Sequence, residues 1–114
     1  MSIKIFHNPR CSKSRETLSI LTSTGIQPEI IDYLTNTPTK AELKNIIHKL
    51  GIKPYKLIRK GETIFKENFK GKELKDEQWI DVMILHPKLI ERPIVINGDK
   101  AIIGRPPELV KTLM

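Results

Sequence analysis

A single cysteine, Cys11, stands among the 114 residues of this chain. No disulfide can close within the chain, and that usage fits a reducing compartment. Long apolar runs are missing too: stretches such as Ile102-Ile103 and Val82 to Leu85 are far too short to cross a bilayer. The opening residues, MSIKIFHNPR, carry neither an apolar core nor a small-residue cleavage site and read as the start of a strand. The expectation is a cytoplasmic protein with no membrane association. Aromatic residues number six (Phe6, Tyr33, Tyr55, Phe65, Phe69 and Trp79), thin for a base-stacking platform. Acidic residues are in deficit, 13 against 20 Lys and Arg, for a net charge of +7. A basic chain can bind nucleic acid through phosphates, or hold a small anion in a focused positive site. The basic residues are scattered rather than run together, which weighs against nucleic acid, although charge alone does not decide.

The hydrophobic pattern divides the chain into short elements. Alternation at Ile3, Lys4 and Ile5, followed by Asn8-Pro9, reads as a strand and then a loop. Ser12 to Thr24 reads as a helix with Leu18, Leu21 and Ser14 on one side and Gly25 just past its end. Pro28 to Leu34, with Ile30, Ile31 and Tyr33, is a second strand candidate. The first third is therefore β-α-β, the crossover that a parallel pair requires. Thr39 and Glu42 are spaced as a capping box, and Leu43, Ile46, Ile47 and Leu50 then form one apolar helical face ended by Gly51. Pro54 opens a short helix carrying Leu57 and Ile58. Lys60 to Lys75 reads as a loop with a short helix. Asp76 is a candidate N-cap for a helix through Trp79, Ile80, Met83 and Ile84 that stops before Pro87. Ile94, Val95 and Ile96 form a strand, Asn97-Gly98 is a hairpin signal, and Lys100 to Ile103 returns. Gly104 breaks that strand, and Pro106 to Leu113 reads as a terminal helix. The order β-α-β, helices, β-β-α is an α/β, thioredoxin-like layout. It predicts one domain over residues 1–114 with a helical insertion at about 38–90.

Cys11 follows a strand and a Pro-containing turn and immediately precedes the first helix. Unbonded N–H groups and the dipole at a helix start favour a thiolate, the reactive form of the residue. Arg10, Lys13 and Arg15 add positive charge nearby, and the Ser14 hydroxyl is spaced to donate to the sulfur. A lone cysteine can also be no more than a small buried hydrophobe. The polar and basic neighbours on both sides favour reactivity. Ser14 occupies the place of the second cysteine in a C-x-x-C pair, so no dithiol cycle can run within the chain. An external thiol, glutathione or a glutaredoxin, must resolve any adduct on Cys11. No metal-ligand cluster is visible, and no bound metal or cofactor is expected. His7 can tune the thiolate through charge or can simply pack. His48, on the polar side of its helix, and His86, at a helix end, read as structural.

The segment His7-Asn8-Pro9-Arg10-Cys11-Ser12-Lys13-Ser14-Arg15 resembles the H-x3-C-x3-R site of the glutaredoxin-linked arsenate reductases. The resemblance continues through Tyr33-Leu34, Thr37-Pro38-Thr39, Leu57-Ile58-Arg59-Lys60, Glu91-Arg92-Pro93-Ile94-Val95 and Gly104-Arg105-Pro106, in order and over nearly the whole chain. It implies a thioredoxin-like fold with a helical insertion, with Pro93 cis beside the active site. It implies that Cys11 attacks arsenate or a similar oxyanion, that Arg59, Arg92 and Arg105 hold the anion, and that His7, Ser14 and Arg15 tune the thiolate. Guanidinium forks suit a tetrahedral anion because each stays charged and can bind two oxygens. The implied reaction passes through an arseno-thioester on Cys11 to arsenite, with glutathione as co-substrate and glutaredoxin as partner. Arg10, Ser12 and Lys13 make the site more similar to an arsenate-reductase-like subgroup, which leaves open a thiol reductase of another oxyanion. The Spx-type regulators that bind RNA polymerase share the fold, but their switch needs the C-x-x-C pair that Ser14 removes. A C-x5-R phosphate loop is absent, since Thr17 stands where its arginine would be.

Overall fold

The computed structural model describes residues 2–114. The chain forms two units, one of residues up to Asn36 together with Arg92–Met114, the other Thr37–Glu91. In the first, β1 (Ile3–His7), α1 (Ser12–Ser23), β2 (Glu29–Asp32), β3 (Ile94–Asn97) and β4 (Lys100–Ile103) build one sheet ordered β2-β1-β3-β4. β1 runs parallel to β2, with His7 opposite Asp32, and antiparallel to β3, with Phe6 opposite Ile94. Ile94 in turn faces Ile103 of β4. The C-terminal ends of β1, β2 and β4 and the N-terminal end of β3 therefore share one edge of the sheet. Cys11, Tyr33 and Arg105 follow the first three ends and Arg92 precedes the last, so residues distant in sequence arrive together.

Ile3, Ile5, Leu21, Val95, Val110 and Leu113 form the core under this edge, with Leu18, Ile20, Ile26 and Ile102 packed against it. The face of α1 turned inward carries Ser14 and Thr17 beside Leu21, two small residues that let the helix approach the sheet. Leu18, expected on that face, packs at its margin. β2 is shorter than the run Pro28 to Leu34 because Asp32 turns the chain: its Oδ1 accepts from the Leu34 N–H and its carbonyl from the Asn36 N–H. The hairpin signalled by Asn97-Gly98 forms: Asn97 pairs with Lys100, the expected start of the returning strand, and Gly98-Asp99 is the loop. Gly98 at φ +62° is its first residue and, among the described residues, no non-glycine residue has positive φ, the sign pattern of a type II′ turn. The C-terminal segment is also different from expectation. Pro107–Leu113 is a 3-10 helix, not an α-helix from Pro106. Pro106 stands at the N-cap and Pro107 opens the helix, and the bonds that follow, such as Leu109 N–H to Pro106 O, span three residues instead of four.

The second unit holds α2 (Lys40–Leu50), α3 (Thr63–Asn68) and α4 (Asp76–Leu85), with 3-10 segments at Pro54–Leu57 and Pro87–Leu89. The Thr39–Glu42 capping box forms in both directions, and Gly51 ends α2 in the left-handed conformation. Leu43, Ile46 and Ile47 are buried, whereas Leu50 is half-buried. Lys75, not Asp76, is the N-cap of α4. Gln78 Oε1 accepts from the Lys75 N–H at 2.8 Å, and Asp76 enters the first turn, where its charge complements the dipole. Lys40 pairs with Glu77 and Asp81, and Lys44 with Glu77, tying α2 to α4. Tyr55, Phe65, Phe69 and Trp79 meet in an aromatic cluster, with Tyr55 and Trp79 centroids 5.1 Å apart. His86 closes α4 and sets its ring edge against Phe69.

Candidate active site

The turn between β1 and α1 is built by Asn8 and Pro9. The Asn8 carbonyl accepts from the Cys11 N–H and its side chain from the Arg10 N–H, each at 3.0 Å. Cys11 follows in extended backbone at the N-cap of α1, a position where an oxygen side chain would ordinarily bond the first N–H groups. Here sulfur stands in that place. Burial would raise its pKa, and this is the largest single influence. The Ser14 backbone N–H, a hydrogen bond from Arg92 and the charges of Arg105 and Arg92 together outweigh it, so the thiol titrates below its ordinary range.

Both arginines reach the sulfur from the far end of the chain. Arg105 Nη2 lies 3.4 Å from Cys11 Sγ, and its Nε donates to the Arg92 carbonyl at 2.8 Å. Arg92 hydrogen-bonds to Cys11 and to Tyr33, and these contacts raise its pKa against the opposing effect of burial, so it stays a cation. The peptide bonds Arg92–Pro93 and Arg105–Pro106 are both cis, the first as the resemblance implied.

Ser14 is fully buried, and its hydroxyl turns away from the sulfur. Its Oγ accepts the Asn8 N–H at 3.0 Å and lies 2.6 Å from His7 Nδ1. The expected hydroxyl donor to sulfur is thus replaced by the backbone N–H of the same residue, because helical geometry aims that N–H at the N-cap. His7 is 7% exposed, and its pKa is lowered first by burial. The Asp32 charge opposes that shift and the Arg15 charge adds to it. A neutral imidazole with Nδ1 accepting the Ser14 hydroxyl proton accounts for both contacts of the Ser14 oxygen. Arg15 itself donates to the Pro9 carbonyl at 2.9 Å, bracing the turn.

Arg59 belongs to the other unit. Its Nη1 donates to Glu91 at 2.7 Å and its Nε approaches Glu62 at 3.4 Å. Rather than ending a helix, it lies two residues past the 3-10 turn: Ile58 bridges Ile90, and the Arg59 N–H donates to Leu89 O at 2.7 Å. Sequence reasoning missed two residues of the site, Asn8 and Tyr33. Asn8-Pro9 was legible as a turn and Tyr33 as a strand residue, but no local signal revealed their partners. Among the described residues no group of three His, Cys, Asp or Glu side chains gathers as metal ligands, and no helix is long and apolar enough to cross a membrane.

Fold and site together define a thioredoxin-like α/β protein built around one activated thiol and two arginines. The chain belongs to the ArsC family, whose model matches residues 6–113. It is 47% identical to an arsenate reductase of Haemophilus influenzae over the full length of both chains. It is 46% identical to the uncharacterized protein YfgD of Escherichia coli, over 95% of this chain and 92% of that one. A solved structure described as an arsenate reductase from Vibrio cholerae superposes with a TM-score of 0.95 at 45% identity, covering 100% of this chain and 98% of the other.

Proposed function

We propose that this protein is a glutaredoxin-dependent arsenate reductase with Cys11 as its nucleophile. The observation that carries the reading is the sulfur of Cys11 held by the Ser14 N–H, Arg92 and Arg105. The names of the H. influenzae and V. cholerae relatives support arsenate as the substrate. In the proposed reaction the Cys11 thiolate attacks arsenic(V) and displaces one oxygen, which leaves as water after taking up protons. Glutathione then adds to the arsenic with loss of a second water. A glutaredoxin thiol attacks the glutathione sulfur, and the electron pair of the broken As–S bond reduces arsenic to the trivalent state. Two thiols become one disulfide, which balances the two electrons gained, and hydrolysis of the Cys11–As bond releases arsenite.

Arg92 and Arg105 stabilise the anion and the charge it carries in the transition state. Arg59 is the third oxyanion-binding residue of this proposal, on the strength of its place in the family pattern. His7, Ser14 and Arg15 keep the loop and thiolate in position. The reading includes a cytoplasmic location, glutathione as co-substrate, and one thioredoxin-like domain with its insertion at about residues 38–90. NADPH-coupled turnover with arsenate, glutathione, glutaredoxin and glutathione reductase tests it. Wild type should turn over arsenate and Cys11→Ser should have no activity. Wild type inactive with arsenate but active with another oxyanion would overturn the substrate and leave the thiol chemistry.

A further inference from the structure

Tyr33 plays no part in the chemistry above, yet it is the largest fully buried side chain, at 1% exposure. A buried phenol needs a hydrogen-bond partner. Tyr33 follows β2 and Arg92 precedes β3 at the same end of the sheet as Cys11, and both side chains are engaged. The partner of the phenol is the Arg92 guanidinium, which also hydrogen-bonds to Cys11. Arg92 thus meets both the residue after β2 and the thiol after β1. We propose that Tyr33 is a positioning residue, whose hydroxyl holds the Arg92 guanidinium against the Cys11 sulfur.

The chemistry of the anchor matters. A carboxylate would hold a guanidinium firmly but would also offset its charge. A neutral phenol oxygen fixes the fork and leaves its full charge to the thiolate and to an incoming anion. Arg92 has a second role that makes its placement consequential, since its carbonyl holds Arg105 Nε. The charged groups facing the sulfur are Arg92 and Arg105, and both are therefore fixed through the Arg92 segment. Asp32 contributes by turning the chain directly after β2.

The inference rests on Cys11 being the nucleophile, but its test uses no arsenate and so separates its failure from that of the proposed substrate. The pH dependence of Cys11 alkylation by iodoacetamide would be measured for wild type, Tyr33→Phe, Arg92→Ala and the double variant. Tyr33→Phe keeps the ring and removes only the hydroxyl. Its midpoint should rise by roughly half a unit to one unit, a three- to tenfold loss of thiolate below the midpoint. The double variant should titrate no higher than Arg92→Ala alone, because the hydroxyl acts through that arginine. An unchanged midpoint in Tyr33→Phe, or a shift that adds to that of Arg92→Ala, would overturn the proposal. Wild-type protein supplies a second reading: NMR should show an Arg92 guanidinium proton in contact with the Tyr33 ring, and its absence would equally count against the role.

Discussion

At Cys11, burial works against the thiolate, while the Ser14 N–H and two guanidiniums work for it, and the second group prevails. At His7 the balance falls the other way. Burial lowers its pKa below 6.5, and the nearby Asp32 carboxylate does not restore it. The native state thus binds fewer protons at this position than the unfolded chain. The stability His7 contributes is fully present above about pH 6.5 and is lost as pH falls through the lowered native pKa. Thermal unfolding measured from neutral to mildly acidic pH should show wild type losing more stability than His7→Gln, which has no proton to gain. Equal acid sensitivity of the two proteins would show that His7 is not held neutral. From the sequence His7 could either tune the thiolate through charge or simply pack. In the structure its Nδ1 lies 2.6 Å from the Ser14 hydroxyl, a contact that only the fold reveals.

α1 packs tightly against the chain at Gly104. A Cβ there would lie 2.6 Å from Thr17 Oγ1 and 2.9 Å from Pro93 Cγ, both closer than packing allows. Gly104 is needed for this approach, and its N–H donates to the Pro93 carbonyl at 2.9 Å. Gly104→Ala should lower unfolding stability by about 1–3 kcal/mol, as overpacking does, and Thr17→Ala should recover part of the loss. Denaturant unfolding of the single and double variants measures both. From the chain alone Gly104 was legible as a strand breaker, because only the structure supplies its neighbours. The same limit applies to the hairpin, which was evident in Asn97-Gly98 but whose loop was set by pairing Asn97 with Lys100. Capping signals fared better. Thr39 and Glu42 are three residues apart and need no distant partner, so their box was readable directly.

Across the whole molecule, the net charge of +7 is spread widely, and only a small part of it acts on the thiol. Lys40 and Lys44 are committed to Glu77 and Asp81, and Arg59 to Glu62 and Glu91. Arg92 and Arg105 carry the charge that reaches the sulfur, from positions more than eighty residues away in sequence. The β-α-β and β-β order was legible because periodicity and turn residues are local. Convergence at one sheet edge was not, since it follows from strand order, and the arginines were found through family resemblance alone. The account stands on the thiolate these residues create. As the chain has one cysteine, the thiolate absorbance that wild type gains during a pH titration and Cys11→Ser lacks reports Cys11, with the ionisation of the two tyrosines common to both. The predicted midpoint is below the ordinary 9.0 in wild type and moves upward in Arg92→Ala. A wild-type midpoint at or above 9.0, unmoved by that substitution, would contradict the account.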